Sequence, residues 1–480
     1  MKKLVLLLGI FAIGISANAQ KKWTLQECVA YALENNISIK QSELDLQATD
    51  VDKMTAVGAF LPSLNASAGL SENTGLSFNP VTNNAQTTTF LSASGSINVG
   101  YTLFDGLRNF RTVQRAELSQ LASQYRLDKM KDDVSLFVAN GYLQVLLNKA
   151  NLEVVNSQNL VTLEQLDRTN SLVESGMLPR GDLLEIQAQD ASEKQRIAVA
   201  ENAVRISLIS LAQLLLIKDY ETFDVVDEGY AISGTEMLLK TVDDVINSAE
   251  ESRSEVKIAQ STVDIAEKDL QIARGAIWPT LSAFFGYNTR YTDATSFTQD
   301  LDPDNPVSIQ PIGTVQETGQ TVIGEFPNTI NRLVQPDSFV DQLYLNDGIS
   351  YGLQLSIPIL NGFQTKGAIK RSQINLERSK FQLEQAKLDL ESNVYQAFVD
   401  AQGAGKAYEA AERSLESQEL AYQYAKDRYD VGRTNAFDFS QSKLRYDNAR
   451  IEVNRSKYDY IFKIKVLELY FGIPATELKF

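Results

Sequence analysis

The feature that most constrains the fold of this chain is an internal duplication. The segment Gly58–Leu64 (GAFLPSL) matches Gly275–Leu281 (GAIWPTL) 217 residues later (275 − 58). Further along, Leu103–Gly106 (LFDG) matches Ile359–Gly362 (ILNG), 256 residues later (362 − 106). The same larger offset relates Gly176 to Gly432. Landmarks in one order predict two copies of one unit, at 20–230 and 231–480, with a 39-residue insertion (256 − 217) between residues 287 and 349 of the second copy.

Each copy contains two segments in which apolar and polar residues alternate, as they do in half-buried β-strands. These segments predict strands near 62–71, 91–104, 279–289 and 348–360. Each is about ten residues long, the length that a tilted membrane strand needs. A soluble sandwich would also alternate in this way. Four such strands in a chain made otherwise of long helices favour a membrane barrel.

The remaining sequence predicts unusually long helices. Leu107–Glu174 and Phe363–Asp430 contain no stop signal before the glycines at 176 and 432, and Leu25–Val57 has the composition of one continuous helix. Asp182–Ile217 and Asp438–Leu469 are predicted to return antiparallel after tight turns. In the second copy, apolar residues recur every seven positions from Ile369 to Ala411, the period of a coiled coil. Helices of this length predict a tube or stalk rather than a compact domain.

Composition excludes most catalytic classes. The chain has no histidine and one cysteine, so Ser-His-Asp sites, His-ligated metals and Cys-rich zinc sites are ruled out, and we expect neither an enzyme nor a cofactor. Cys28 lies in a helical pattern and is predicted to be a packed side chain. The net charge of −16 disfavours binding to nucleic acid.

The N-terminus predicts export. Two lysines precede an apolar stretch from Leu4 to Ile15, and Ala17-Asn18-Ala19 supplies a cleavage site, so residues 1–19 are predicted to be a signal peptide. No later apolar run is expected to reach the length of a membrane helix. A membrane-crossing mature chain would therefore have to cross as strands. Since membrane barrels begin at about eight strands and open edges are costly in lipid, four strands imply association of two or three copies.

The order of these elements resembles the TolC family of outer-membrane efflux proteins over nearly the whole mature chain, from Leu25 to Leu469. The resemblance rests on the duplicated helix–strand–strand–long helix–helix order. It also rests on the turn motifs Val173–Gly176 and Tyr429–Gly432, on Asp438, and on the segment Tyr446–Arg450. It implies an α+β homotrimer with a twelve-stranded β-barrel in outer-membrane lipid, continued by a helical barrel into the periplasm. The implied partners are a periplasmic adaptor (membrane fusion) protein and an inner-membrane transporter, for efflux or type I secretion.

The resemblance also implies a site. Asp438 matches the family's aperture aspartate, and Gln441 stands where some members carry a second acid. Asp182 and Glu185 hold the equivalent places in the first copy. The turns at Gly176 and Gly432 form the tip, where Tyr429 and Arg433 would serve as a latch, although Thr434 replaces the family's turn arginine. Two plainer interpretations stay open: Asp182 or Asp438 as an acid that favours the helix dipole, and Tyr429 as a tyrosine half-buried between helices.

The proline-rich, acidic stretch from Arg290 to Asp347 is predicted to be a long extracellular loop; a plug or a phage-contact surface is the alternative. Two other functions remain open at this stage. One is a periplasmic coiled-coil structural or adaptor protein without a barrel. The other is a secreted hydrolase that uses paired carboxylates, although no pair of acids stands out for that chemistry.

Overall fold

The computed structural model describes residues 22–473, so the predicted signal peptide lies outside the described residues. The chain divides into two compact units. One contains the described residues up to Lys53, together with Gln114–Lys268 and the described residues from Ser372 onward. The other contains Met54–Val113 and Asp269–Arg371. Each unit therefore takes segments from both halves of the duplicated sequence.

The elements repeat between the two halves. The first half contains β1 (Lys22–Trp23), α1 (Leu25–Asn35), α2 (Ile37–Gly58), β2 (Ser63–Asn79), β3 (Asn84–Phe104), α3 (Arg108–Glu174), α4 (Arg180–Leu214) and β4 (Asp224–Val225). The second half contains a 3₁₀ turn (Thr235–Leu239), α5 (Val242–Ser252), α6 (Ser254–Gly275), β5 (Thr280–Thr292), β6 (Ser296–Leu301), β7 (Val307–Thr314), β8 (Thr321–Pro327), β9 (Thr329–Val334), α7 (Phe339–Leu345), β10 (Gly348–Ser356), α8 (Gln364–Asp430) and α9 (Ala436–Tyr470).

The prediction of long helices is confirmed. Both α3 and α8 have 67 residues, and the return helices α4 and α9 have 35 each. Just before the long helices, Leu107 and Phe363 each have a φ of +65°, which is unusual for residues with a side chain. The two residues occupy the same place in the two copies. The duplication therefore extends to backbone conformations that sequence patterns do not reveal.

The prediction of one continuous helix over Leu25–Val57 is wrong. The chain breaks at Asn36, whose backbone is extended and whose side-chain oxygen accepts a hydrogen bond from the amide of Ser38 at 2.9 Å. The second copy breaks at Arg253, which occupies the equivalent position and is also extended. Asn36 acts as an N-cap for the following helix, and a side chain that competes for backbone hydrogen bonds favours such a break.

The unit that contains Gln114–Lys268 is called the helical unit below. Its apolar core surrounds Tyr142 of α3. The single Tyr142 hydroxyl proton is shared between the carbonyl oxygens of Val226, at 2.6 Å, and Trp23, at 3.1 Å, next to the parallel pair β1–β4. Cys28 is fully buried in the same cluster, as predicted for a packed side chain. A second cluster joins α5 and α6 to α8 through side chains that include Val256 and Val394.

The other unit contains a four-stranded antiparallel sheet in the order β10–β5–β3–β2. Rows of apolar side chains run across all four strands on one face: Leu64, Val99, Phe285 and Tyr351 form one row, and Ala66, Ile97, Tyr287 and Ile349 form the next. The opposite face is polar, and Ser67 and Ser96 hydrogen-bond across it at 2.8 Å. Phe284 lies on this polar face, where both of its cross-strand neighbours are glycines, Gly100 and Gly352. The sheet thus presents one apolar and one polar surface.

Strands β2 and β3 are longer than predicted, with 17 and 21 residues. The apolar alternation in β2 ends at Leu70, because Glu72 and Thr74 follow on the same face. Backbone pairing nevertheless continues to Asn79. Ladder hydrogen bonds do not depend on the polarity of the side chain, so a prediction bounded by hydrophobic alternation ends too early.

The segment 290–347 is not an irregular loop. It contains two antiparallel pairs, β6 with β9 and β7 with β8. Because β7 and β8 lie between β6 and β9 in the sequence, the second pair continues the first. The short helix α7 packs on β5, where Phe339 and Tyr291 form an edge-on aromatic pair with centroids 4.9 Å apart. Buried Gln342 binds the backbone of Thr292 through both its amide nitrogen and its oxygen. Prolines and glycines interrupt the alternation of apolar and polar residues in these strands, so the sequence pattern does not predict their pairing.

One further expectation needs correction. By length and composition alone, α4 could cross a membrane, although no later helix of this kind was expected. Its most apolar stretch also contains Glu201 and Arg205. A single helix that passes this test is weak evidence for a span, since the helices of many proteins outside membranes pass it too.

Candidate functional site

The tip predicted from the two turns is built alike in both copies. Gly176 and Gly432 have φ values of +76° and +72°, the left-handed conformation that ends helices. The amide of Gly176 donates to the carbonyl of Val173, and that of Gly432 to the carbonyl of Tyr429, each at 3.0 Å. Glycine is required at both places because a Cβ atom would strain this backbone. All residues of the tip discussed below belong to the helical unit.

The two return helices begin differently. Asn435 caps α9, and its side-chain oxygen accepts a hydrogen bond from the amide of Asp438 at 2.8 Å. Pro179 stands at the equivalent place before α4 and provides no side-chain cap. Asp438 is exposed in the first turn of α9, and its carboxylate accepts from the hydroxyl of Thr434 at 3.3 Å. Asp438 therefore does not act as the cap, although its position at the helix N-terminus still favours the helix dipole.

The structure brings together two of the four predicted aperture residues. Glu185 of α4 and Gln441 of α9 line one groove between these helices. Asp182 is half-buried and Asp438 is exposed, and neither lines that groove. The aperture roles of all four residues remain predictions, since they depend on how copies of the chain meet.

Tyr429 contacts both helix pairs. Its ring stacks on Phe439 of α9 with centroids 5.1 Å apart, and its hydroxyl lies 3.3 Å from the hydroxyl of Thr169 on α3. Arg433 is exposed, its amide donates to the carbonyl of Arg428, and its guanidinium makes no ion pair within the described part of the chain. The geometry is compatible with both interpretations of Tyr429, as a latch and as a tyrosine half-buried between helices.

Sequence reasoning missed the ion pair beside this tyrosine. Arg168 of α3 donates to the Asp430 carboxylate at 2.5 Å and to the Asp430 carbonyl at 2.9 Å. The pair joins the last turns of the two long helices. The two residues are 262 positions apart, and no periodicity connects them. Only the side-by-side packing of the two copies brings them into contact.

A buried polar cluster lies further from the turns and was also missed. Lys443 of α9 donates to the Gln158 carbonyl and the Thr162 hydroxyl of α3, each at 2.6 Å, and to the Glu193 carboxylate of α4 at 2.9 Å. Lys443 and Glu193 are nearly inaccessible, with side-chain exposures of 3% and 5%. One lysine thus joins three helices. A lysine in an amphipathic helix is normally assigned to the solvent face, so the sequence pattern gave no signal for it.

A second ion pair extends this cluster along α4. Lys194 donates to Asp190 at 2.7 Å, and the buried amide of Asn159 donates to the same carboxylate at 2.9 Å. These two hydrogen bonds hold the pKa of Asp190 below its usual value. Asp190 therefore remains charged and paired at neutral pH.

No group of three or more histidine, cysteine or acidic side chains within residues 22–473 is arranged to hold a metal ion. In the buried cluster Lys443 is held by Thr162 and Glu193, and at the tip the Arg168–Asp430 pair joins the two long helices. The arrangement can instead control how tightly two helix pairs are held together, through a glycine turn, an ion pair, an aromatic stack and a buried lysine.

Comparison with solved structures supports the architecture of long helices and a four-stranded sheet described above. The fold matches the transmembrane channel CusC with a TM-score of 0.72 at 16% identity, covering 93% of this chain and 92% of that one. It matches the outer membrane protein VceC from Vibrio cholerae with a TM-score of 0.70 at 14% identity, covering 93% and 96%. At these identities the likeness shows the shared fold.

Sequence comparison gives the family. The chain is 22% identical to the outer membrane protein TolC of Vibrio cholerae over 485 residues, covering 99% of this chain and 97% of the relative. The family model for outer membrane efflux proteins matches residues 29–215 and 344–470, one segment in each copy of the duplication. This result confirms the interpretation of the chain as an efflux channel of the outer membrane, rather than as a periplasmic adaptor protein. The chain belongs to the outer membrane efflux protein family.

Proposed function

We propose that three copies of this chain form one channel: a twelve-stranded β-barrel in the outer membrane that continues into the periplasm as a tube of helices. In this proposal the channel receives substrates from an inner-membrane transporter through a periplasmic adaptor protein and releases them outside the cell. No catalytic step and no cofactor are involved. The duplicated units are the repeats at 20–230 and 231–480, preceded by a cleaved signal peptide at 1–19.

The observation that carries the proposal is the four-stranded sheet with one apolar face and two open edges. Within the described residues, β2 and β10 each have a strand neighbour on one side only. Side chains of the apolar face are highly exposed, with values of 70% for Leu64 and 79% for Tyr351. Unpaired strand edges next to an apolar surface are costly in both water and lipid, and closing the sheet into a barrel removes both costs.

The long helices of the helical unit lie in a row, and their order in this row is the same as the order of the strands in the sheet. Asp50 of α2 accepts a hydrogen bond from Gln120 of α3 at 2.5 Å, and Lys268 of α6 donates to Gln114 of α3 at 3.1 Å. The cluster containing Val256 and Val394 then joins α6 to α8. The row is therefore α2–α3–α6–α8. These helices adjoin β2, β3, β5 and β10 along the chain, in the same order as the strands of the sheet.

The two end helices of this row carry exposed apolar stripes with a seven-residue period. On α2 the stripe consists of Ile37, Leu44 and Val51, with exposures of 55–62%. On α8 it consists of Ile374, Phe381, Leu388 and Tyr395, with exposures of 43–64%. A seven-residue period keeps a stripe facing one neighbouring helix. The α8 stripe of one copy therefore fits the α2 stripe of the next, a head-to-tail contact that closes into a ring.

Two measurements test the proposal. The particle extracted from outer membranes in detergent should have the mass of three chains, and it should conduct ions after insertion into a planar bilayer. A monodisperse monomer that remains in the aqueous phase during membrane extraction would contradict both the barrel and the trimer. A dimer would contradict the twelve-stranded barrel but not the ring-forming contact.

A further inference from the structure

The buried cluster around Lys443 contains one carboxylate more than the lysine can balance. Asp447 lies one turn beyond Lys443 on α9, and the residue is 4% exposed. Lys443 is already paired with Glu193. An ionised Asp447 would therefore add a second buried negative charge beside Glu193, and an uncompensated buried charge is costly.

The charged and titratable groups that face Asp447 come from three helices. They are Lys443, Tyr446 and Arg450 on α9 itself, Glu193 on α4, and Tyr422 on α8. Glu185 and Arg196 of α4 line the same groove as Asp447. From α3 the neighbouring group is the amide side chain of Gln158. The aromatic rings of Tyr422 and Tyr446 stack with centroids 5.2 Å apart and cover this part of α9.

Burial, as the largest effect, raises the pKa of Asp447 to about 7, and the negative charge of Glu193 acts in the same direction. The nearby Lys443 and Arg450 lower this pKa, but they do not offset the burial. An exposed aspartate has a pKa of about 4. The packed arrangement therefore binds a proton more tightly than an arrangement in which Asp447 reaches water.

Proton binding by Asp447 makes the packing of α9 depend on pH. Because the pKa of Asp447 is higher in the packed state, raising the pH removes a proton that stabilises this state. Packing of α9 against α3 and α4 should be strongest at acidic pH and should weaken as the pH rises from about 4 to about 7. Above that range the weakening is complete and constant.

We infer that Lys443, Glu193 and Asp447 form a proton-responsive lock that holds the return helix α9 against the other helix pair, beside the groove that Glu185 and Gln441 line. In the protonated state the lock contains one lysine and one carboxylate and is balanced. In the deprotonated state it carries an excess negative charge and loosens. The role of this lock in opening the channel rests on the proposed function, but the lock itself is a property of each chain.

The experiment compares hydrogen exchange of the purified full-length protein with that of Asp447→Asn, which imitates the protonated carboxyl. Wild type and variant are compared at equal pH, so the intrinsic exchange rate cancels. At pH 8.5, peptides covering residues 439–450 of the variant should exchange at least about tenfold more slowly, since pKa values of about 7 and about 4 in the packed and open states allow up to about a thousandfold. At pH 4.0 the two proteins should agree within about twofold, because Asp447 is then protonated in the packed arrangement and about half protonated in the open one.

The matched control is Asp459→Asn, an exposed carboxylate on the same helix, which should behave like wild type at both pH values. Lys443→Met should accelerate exchange at both pH values, because it leaves Glu193 buried without its cation. Equal exchange of wild type and Asp447→Asn at pH 8.5, or faster exchange in the variant, would overturn the lock.

Bilayer recordings then separate the lock from the channel. Wild-type conductance should rise between pH 5.5 and pH 8.5, whereas that of Asp447→Asn should stay at its lower value throughout. A protein that shows the predicted exchange but conducts no ions would retain the lock and contradict the proposed function. Conductance with equal pH dependence in both proteins would contradict the role of the lock in opening.

Discussion

Arg168 and Asp430 join the ends of the two long helices through two hydrogen bonds, one to the carboxylate and one to the backbone carbonyl. Both side chains are partly exposed, at 49% and 32%. An ion pair of this kind contributes about 0.2–1 kcal/mol, too little to determine the fold. Such a weak link can instead be broken and remade, as opening of the proposed channel at this end would require.

We therefore expect Arg168→Ala to raise the open probability of the channel by about 1.4-fold to fivefold, the range that corresponds to about 0.2–1 kcal/mol. Single-channel recording at low salt measures this effect. Asp430→Ala should have a similar effect, and the double variant should add little to either single change, because both remove the same pair. Glu409→Ala is the control, since it breaks an exposed pair with Arg413 within α8. Additive effects of Arg168→Ala and Asp430→Ala would show that the pair does not act as a unit.

The apolar stripe on α8 predicts the contact between copies. Phe381→Glu should convert most of the trimer into monomer, because the contact would bury an unpaired charge, at a cost of several kcal/mol. Leu44→Glu should have the same effect, since it alters the stripe on the opposite end of the row. Size measurement in detergent by light scattering checks both variants. Asn393→Asp, at an exposed position two residues before Tyr395 and therefore on another face of α8, should remain a trimer. If Phe381→Glu is also a trimer, then α8 does not form the seam.

Asp438 should matter for conduction more than for stability. In a trimer, three such aspartates near the axis would attract cations, and salt screens their field over about 8 Å at physiological strength. Asp438→Ala is expected to lower cation selectivity and to weaken block by multivalent cations in bilayer recordings. Unfolding should change little, since an acid in the first turn contributes about 0.3–1 kcal/mol and Asn435 remains as the cap.

Asp182→Ala is the matched control for Asp438→Ala, because Asp182 occupies the equivalent position in the first copy and is half-buried. Equal effects of the two substitutions would contradict the assignment of the aperture to the second copy. Unchanged selectivity in Asp438→Ala would remove this residue from the aperture.

The paired strands between residues 290 and 347 predict an exposed structure on the cell surface. An epitope inserted after Gly319, in the exposed turn between β7 and β8, should bind antibody on intact cells. An epitope inserted after Gly176 should bind only after the outer membrane is ruptured, because that turn belongs to the tip. Labelling in the reverse order would invert the strand topology. A Gly319 epitope that stays hidden until rupture would instead support a plug.

The sequence by itself determined the elements that depend on local pattern. The duplication, the 67-residue helices, the glycine turns and the four main strands follow from periodicity and from residues with special backbone preferences, since both act over a few positions. The family also followed from the order of these elements and their motifs. Helix breaks such as Asn36 and the pairing between residues 290 and 347 were missed because the local pattern there is weak.

The tertiary structure alone decided the contacts between distant parts of the chain. Arg168 meets Asp430, and Lys443 reaches Glu193, across separations of 262 and 250 residues. Whether an acid or a lysine on a long helix faces water or a neighbouring helix depends on how those helices pack, and the charge on a side chain does not reveal it. Burial in turn sets the energy of a charged group. The proton-responsive cluster therefore depends on the packing of α3, α4 and α9 side by side, which the sequence pattern does not show.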